Sequence, residues 1–208
     1  MEFRWLGRIG YAEGLQLQEE LLKQRQDGEV GDVVLLLEHE PVVTIGRTRD
    51  QSSLLDAEEH GVDVVVTNRG GQATYHGPGQ LVGYPILDLT KYGKDLHTYI
   101  RALESALIEA CGDIEISAKR RDGLTGVWVD DRKIASIGVG VKRWVSMHGF
   151  AINVAADVSG FDTITPCGIS NVEMTSIERE SGEQLTVEQF AYKVKPRLEE
   201  ELARLHRV

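Results

Sequence analysis

Residues Gly126–Val154, GVWVDDRKIASIGVGVKRWVSMHGFAINV, alternate between apolar and small or polar residues for almost thirty positions. The runs GVWV, KIASIGVGV and GFAINV are separated by DDR and by a turn that contains KRW. A period of two is typical of β-strands, and short polar connections join antiparallel neighbours. The stretch therefore predicts a meander of antiparallel strands.

The rest of the chain mixes strand patterns with helix patterns. FRWLG and VDVVVT are predicted strands, and VVLLLEHEPVVTIG is predicted to be two short strands broken at Pro41, because proline cannot donate to a central ladder. Helical spacing of apolar residues and glycine stop signals predict the helices. They are Ala12–Gln26 (core contacts Leu15, Leu21 and Leu22, with Gly28 after its end), Ser52–His60 ended by Gly61, Leu96–Ala110 closed by Gly112, and Val187–Leu205, kinked or divided at Pro196. Early strands mixed with helices and later hairpins predict an α+β fold with a mixed sheet.

Length and composition narrow the class of protein. A chain of 208 residues predicts one domain, residues 1–208, with a sizeable core. The sequence shows neither a signal-peptide pattern nor an apolar run of membrane-spanning length, and two cysteines cannot build a disulfide framework. We therefore expect a cytoplasmic protein that does not insert into membranes.

Charge is unevenly distributed along the chain. The net charge of −10 argues against a general nucleic-acid binder, which needs a basic face. Residues 119–143, however, hold seven basic and only three acidic residues, so this segment is +4 and the remainder is −14. The segment is either a docking surface for an acidic partner or an ordinary solvated hairpin.

Residues Asn68–Pro85, NRGGQATYHGPGQLVGYP, place five glycines between the two strand patterns VDVVVT and YPILDL, which we expect to be buried. The stretch is either a long surface turn or a backbone that lies close against a ligand. The fingerprints GxGxxG and GxxxxGK[ST] are absent, and the glycines lead into another strand rather than a helix, so these two nucleotide-binding loops are disfavoured.

Two cysteines and one lysine are the candidates for nucleophilic chemistry. Cys111 ends an apolar helix and is expected to be a buried structural residue, whereas Cys167 lies in TPCG outside any periodic pattern. A catalytic thiol needs a partner, for which His76, His148 and a lysine of the meander are candidates. In strict alternation Lys133 shares an apolar face with Ala135, so it lies either at a sheet edge with its head in water or in a functional position. The histidines are scattered and lack HExxH spacing, so no metal is expected.

Four motifs in one order resemble the octanoyltransferases of lipoate biosynthesis, over residues 38–177. They are RGGQATYHGPGQLVGYPILDL, RKIASIGVGV, MHGFAINV and TPCGI. The resemblance implies the fold of biotin and lipoate protein ligases, an α/β sandwich of a mixed sheet, a small second sheet and flanking helices.

The resemblance also implies a two-step acyl transfer without a cofactor. Octanoyl-acyl carrier protein would be the donor, and the acceptors would be lipoyl domains of 2-oxoacid dehydrogenase E2 subunits and glycine cleavage H protein. Cys167 would carry the acyl group as a thioester, and Lys133 would lower the pKa of the thiol and transfer protons. The substrate-contacting positions implied by the resemblance are Arg69, Gly70, Gly71, Gln72, Ala73, Thr74, Tyr75, His76, Ser136, Ile137, Gly138, Gly149, Phe150 and Ala151.

Two alternatives from other classes share this fold. An ATP-dependent lipoate or biotin ligase would not need Cys167 and would require ATP. A non-catalytic binding protein would never become acylated at Cys167, so ATP dependence and acylation of this thiol separate the three hypotheses.

Overall fold

The computed structural model describes residues 1–47, 54, 61–155, 157–165 and 172–206. The predicted helix Ser52–His60 lies outside the described residues except for Leu54, which forms a single antiparallel bridge with Ile164.

A seven-stranded sheet forms the centre of the fold. Its strands are β1 (Glu2–Ile9), β2 (Val33–His39), β6 (Gln80–Ile86), β7 (Lys119–Arg121), β8 (Leu124–Val129), β9 (Arg132–Lys142) and β10 (Val145–Asn153). They lie in the order β1-β2-β6-β10-β9-β8-β7. Only the β1–β2 pair is parallel, which makes the sheet mixed, and β8, β9 and β10 form the predicted antiparallel meander.

A three-stranded sheet stands beside it. Its strands are β3 (Val42–Ile45), β4 (Asp63–Val66) and β5 (Thr74–His76), in the order β4-β3-β5. Pro41 ends the first apolar run, so that β2 and β3 join different sheets although two residues separate them. The predicted mixed sheet with a small second sheet is confirmed.

Helices cover both faces of the large sheet. They are α1 (Tyr11–Asp27), α2 (Leu96–Gly112), α3 (Ile177–Ser181) and α4 (Val187–Leu205), with 3-10 turns at Leu89–Lys91 and Ser159–Thr163. Leu81 packs in the core beneath α2 and α4, whereas its neighbour Val82 packs with Leu21 and Leu22 of α1. Because adjacent side chains of a strand point to opposite faces, β6 is buried on both sides.

Three details differ from the sequence-based expectations. Strand β4 is an exposed edge rather than a buried strand, with Val66 49% exposed. The stretch Asn68–Pro85 is not a continuous loop, because it contains β5. Of the two expectations for Pro196, a division of the last helix is wrong and a kink stays a prediction: α4 is one helix with Pro196 inside it, and it begins with a capping box between Thr186 and Gln189.

No helix among the described residues is long and apolar enough to cross a membrane.

Candidate active site

A cavity that opens to solvent lies where the glycine-rich stretch crosses the middle of β9 and β10. The structure brings together twelve of the fourteen positions that the sequence singled out. The cavity is lined by Arg69, Gly70, Gly71, Gln72, Thr74, His76, Ser136, Ile137, Gly138, Gly149, Phe150 and Ala151, together with Tyr11, Tyr84 and His148.

Ala73 and Tyr75 do not line this cavity. Ala73 is fully buried in a separate cluster with Phe161, and Tyr75 meets the ring of Phe161 edge-on at 5.7 Å. The reason is the period of two in and before β5, which sends Thr74 and His76 to the cavity side and their neighbours to the other. The motif alone does not predict which of its residues face the cavity, because its glycine-rich sequence is typical of a loop rather than of a strand.

The glycine-rich stretch is bound to both sheets through its backbone and through Arg69. The Arg69 guanidinium donates to the hydroxyl of Thr44 in β3 at 2.8 and 3.1 Å, and the Gly70 N–H donates to Val139 of β9 at 2.9 Å. A Cβ at Gly46 would lie 1.8 Å from the Gly71 carbonyl oxygen, and one at Gly138 would lie 2.9 Å from that of Gly70. Close backbone-to-backbone packing therefore explains glycine at these positions without any ligand.

His76 and His148 line the cavity, and the His39 ring lies 5.9 Å from that of His76. His39 donates from Nδ1 to the Ile9 carbonyl and accepts at Nε2 from the Tyr84 hydroxyl at 2.7 Å. Burial lowers the pKa of His39 and of His148 to about 4, and burial together with the nearby His39 lowers that of His76 to about 3. These histidines are uncharged at neutral pH, so Arg69 is the charged side chain among the described residues that line the cavity.

The sequence did not identify Tyr11 and Tyr84, which line the cavity, or His39, whose ring packs against both. Tyr11, His39 and Tyr84 come from a helix start and two different strands, and no spacing in the sequence joins them. His148 was named only as a possible partner for a thiol.

Lys133 is buried, with 2% of its surface exposed, so the sheet-edge expectation is wrong. It stays interior because the chain after the TPCG motif pairs with its backbone: Lys133 N–H donates to Glu173 at 2.8 Å and Thr175 N–H donates to Lys133 at 2.9 Å. The strict alternation expected for β9 is also interrupted by a β-bulge at Ile134. Val127 of β8 pairs with Ala135 and the next β8 residue pairs with Lys133, so Ile134 between them is one extra residue.

The Lys133 side chain occupies space left by a glycine. Its Nζ lies 5.4 Å from the centre of the Trp128 ring, a cation–π distance. A Cβ at Gly126 would lie 2.8 Å from Lys133 Cε and 3.4 Å from Nζ. The predicted nucleophile Cys167 lies outside the described residues; Ile164 before it and Met174 after it both pack in the cluster that contains Phe161.

A hydrogen-bond chain connects the cavity to the strand that carries Lys133. His76 Nδ1 donates to the Gln80 side-chain oxygen at 2.8 Å, and the Gln80 amide donates to Asn153 at 3.0 Å. Asn153 in turn donates to the carbonyl of Thr175 at 2.9 Å, and Thr175 is bound to Lys133 through the backbone. The glycine-rich motif and the backbone of Lys133 are therefore joined by one hydrogen-bond network.

The remaining candidates lie away from this cavity. Cys111 is fully buried in the core, and burial raises the pKa of its thiol to about 12, which fits the expected structural role. Among the described residues, no group of three or more His, Cys, Asp or Glu side chains could hold a metal ion.

The basic segment 119–143 does not form one patch. Arg120 pairs at 3.0 Å with Glu104, which is fully buried, and Arg132 pairs at 2.8 Å with Glu180. Arg132 and Lys142 are the first and last residues of β9, an 11-residue strand, and are therefore separated by roughly 33 Å. The basic residues of the segment are therefore spread along the strand rather than gathered at one place.

Comparison with known proteins agrees with the fold and the motifs. Residues 10–199 match the lipoyl protein ligase A/B catalytic domain family. The chain is 50% identical over 190 residues to an octanoyltransferase of Citrifermentans bemidjiense, covering 91% of each chain. It is 52% identical over 184 residues to one of Geobacter sp. strain M21, covering 88% of each chain.

Solved structures share the fold at low identity. A bipartite lipoate protein ligase from Thermoplasma acidophilum superposes with a TM-score of 0.72 at 14% identity, over 98% of this chain and 84% of that one. A biotin protein ligase from Aquifex aeolicus, in complex with biotin and ATP, gives 0.62 at 15% identity, over 98% and 71%. The expected ligase-type fold is confirmed, and the chain belongs to the octanoyltransferases of the lipoyl protein ligase A/B catalytic domain family.

Proposed function

We propose that this chain, acting as one catalytic domain over residues 1–208, moves an octanoyl group from octanoyl-acyl carrier protein to a lysine of lipoyl domains without ATP or another cofactor. As a member of the octanoyltransferases it is an acyltransferase of lipoate biosynthesis. The proposed acceptors are the lipoyl domains of 2-oxoacid dehydrogenase E2 subunits and glycine cleavage H protein.

The burial of Lys133 is the observation that carries this proposal. A lysine is almost never fully buried without a specific role or partner, yet Lys133 is 2% exposed. Its backbone is hydrogen-bonded to Glu173, which follows Cys167 by only six residues. Cys167 is therefore a suitable nucleophile for a dyad with Lys133.

In the proposed dyad, Lys133 gives up one proton in the first step and takes up another in the second. A thiolate beside an ammonium is favoured because each charge stabilises the other. The Cys167 sulfur attacks the thioester carbonyl, the new S–C bond replaces the pantetheine S–C bond, and Lys133 protonates the departing pantetheine sulfur. Neutral Lys133 then accepts a proton from the acceptor amine as its nitrogen forms the amide and releases Cys167 as thiolate.

The cavity suits the acyl chain of this reaction. Its lining includes the neutral rings of His76 and His148 and the apolar side chains of Ile137 and Phe150. Each methylene removed from water contributes about 0.8 kcal/mol to binding. Exchange of one thioester for another is nearly balanced in energy and formation of an amide is downhill, so the reaction requires no nucleotide.

The test is intact-mass analysis and transfer kinetics with octanoyl-carrier protein and a lipoyl domain, without nucleotide. We expect a covalent octanoyl adduct that Cys167→Ala abolishes and Cys111→Ala retains. Lys133→Ala should slow transfer on the order of a hundredfold or more, the usual effect of losing a positioned acid–base group. It should also move the pH dependence of Cys167 alkylation upward, toward an ordinary thiol.

Lys142→Ala is the matched control, because Lys142 is the other lysine of β9 and is exposed at its far end. Strict dependence on ATP would identify a ligase instead. An adduct on Cys111, or an unchanged rate and alkylation profile in Lys133→Ala, would contradict the dyad.

A further inference from the structure

Strand β9 is no longer paired with β10 where it reaches Lys133. The ladder between the two strands ends at Ala135, two residues short of the lysine. Residues 173–175, which we call the flanking segment, pair there instead: the Lys133 N–H donates to Glu173 at 2.8 Å, and the Thr175 N–H donates to Lys133 at 2.9 Å. Since backbone groups on an unpaired strand edge are left to water, the flanking segment encloses the lysine on this side.

A closed ring of hydrogen bonds links the flanking segment to the start of β9. The Thr175 hydroxyl donates to the Glu180 carboxylate of α3 at 2.5 Å. The same carboxylate accepts two bonds from the Arg132 guanidinium, at 2.8 and 2.9 Å, and Arg132 directly precedes Lys133 in the chain. A two-bond pair between arginine and carboxylate has a defined geometry, so Glu180 holds Thr175 and Arg132 in a fixed relation.

Charge and burial support this hydrogen-bond ring. The bond from Arg132 lowers the pKa of the Glu180 carboxyl, which is therefore ionised and accepts from both partners. Thr175 is 2% exposed, so its hydroxyl depends on a protein acceptor rather than on water. Asn153, the last residue of β10, holds the same residue from the other side by donating to the Thr175 carbonyl at 2.9 Å.

We infer that Thr175 is a positioning residue for the transfer reaction, which keeps the Lys133 amine enclosed through Glu180 and through the backbone of the lysine. This inference rests on the proposed function, because it takes Lys133 to be the acid and base of the transfer. Without its hydroxyl, the flanking segment retains its backbone bonds but loses the side-chain link to Arg132. The segment should then separate from β9 more often and leave the lysine open to water.

The first experiment compares transfer kinetics in the unaltered chain, Thr175→Val and Thr175→Ser. Valine has nearly the shape of threonine but lacks the hydroxyl, whereas serine retains it. We expect kcat to fall on the order of tenfold or more in Thr175→Val, because small displacements of a reacting group are costly. The KM for octanoyl-carrier protein should stay the same, and Thr175→Ser should restore most of the rate. The pH dependence of Cys167 alkylation should move upward in Thr175→Val, as in Lys133→Ala.

The second experiment measures acetylation of Lys133 by acetic anhydride, which requires no transfer. Mass spectrometry of peptides gives the rate for Lys133 relative to that for Lys142, which is exposed. Loss of the hydrogen-bond ring should raise this ratio severalfold in Thr175→Val. Glu180→Ala should raise it as well, and this variant breaks the same ring at a side chain that is only partly buried and whose truncation the fold tolerates.

Ser146→Ala is the matched control, because it also removes a buried hydroxyl that donates to a backbone carbonyl, that of Pro85 at 2.7 Å. Ser146 pairs with Val141, eight residues along β9 from Lys133. This variant should lose stability and retain the kcat, the alkylation profile and the acetylation ratio. Equal changes in Ser146→Ala and Thr175→Val would overturn the inference, as would an unchanged kcat or acetylation ratio in Thr175→Val.

The two experiments separate this inference from the proposed function. If the unaltered chain transfers no octanoyl group, the proposed function fails, whereas a raised acetylation ratio in Thr175→Val still supports the role of Thr175 in enclosing Lys133. If the unaltered chain transfers the group and Thr175→Val does so at the same rate, the inference alone fails.

Discussion

Replacing Gly126 by alanine tests whether the fold reserves space for the Lys133 side chain. The new Cβ would lie 2.6 Å from the Ala135 carbonyl oxygen and 2.8 Å from Lys133 Cε. Strand β8 cannot simply retreat, because the Gly126 N–H donates at 3.0 Å to Glu104, which is fully buried. The backbone contact should lower stability, and the side-chain contact should displace the lysine.

The expected magnitudes follow from these contacts. A positive φ costs a non-glycine residue about 1–2 kcal/mol, and Gly126 has a φ of +132°. Overpacking against Ala135 adds about 1–3 kcal/mol, for a total of about 2–5 kcal/mol. In a chain of this length each kcal/mol lowers Tm by about 2–4 °C. A displacement of the lysine by about 1 Å should slow transfer on the order of a hundredfold.

Gly123→Ala is the matched control in the neighbouring turn. Gly123 also has a positive φ, +74°, but nothing lies within 4 Å of an added Cβ. It should lose about 1–2 kcal/mol of stability and retain its rate. The assays are urea unfolding, transfer kinetics at equal folded fraction, and the pH profile of Cys167 alkylation. If Gly126→Ala matches Gly123→Ala in rate and alkylation profile, Gly126 does not position Lys133.

Two further predictions concern charge and pH. Lys119 of β7 pairs across the sheet with Trp128, which pairs with Lys133, so β7 lies two strands or about 10 Å from Lys133. If carrier protein docks at β7, charge reversal at Lys119 and added salt should each raise the KM for carrier protein with little change in kcat. Reversal at Lys142, at the far end of β9, should leave KM unchanged, and equal effects of the two reversals would contradict docking at β7. The three buried histidines have folded-state pKa values below the ordinary 6.5, so the unfolded chain binds more protons and stability should fall as pH drops from 6.5 to about 4. Each should contribute up to about 1.4 kcal/mol per pH unit, and His76→Gln should reduce the slope of unfolding free energy against pH. An unchanged slope would show that His76 binds its proton equally well in the folded and the unfolded chain.

The sequence by itself determined the local elements and the reaction class. Periods of two and 3.6 residues located the meander and the long helices, because the direction in which successive side chains point is a local property of the backbone. Pro41 correctly marked the end of a strand, since a missing N–H is also local. Four ordered motifs identified the family before any fold was known.

Only the tertiary structure decided which groups meet. The expected edge position of Lys133 failed because the segment after TPCG adds backbone hydrogen bonds beside it, and because an extra residue at Ile134 interrupts the alternation. The same holds for Asn68 and His148, which are 80 residues apart in sequence and whose side chains are 2.6 Å apart in space. Periodicity fixes which way a side chain points along one strand, but the order of strands and the packing of the loops between them determine what it faces.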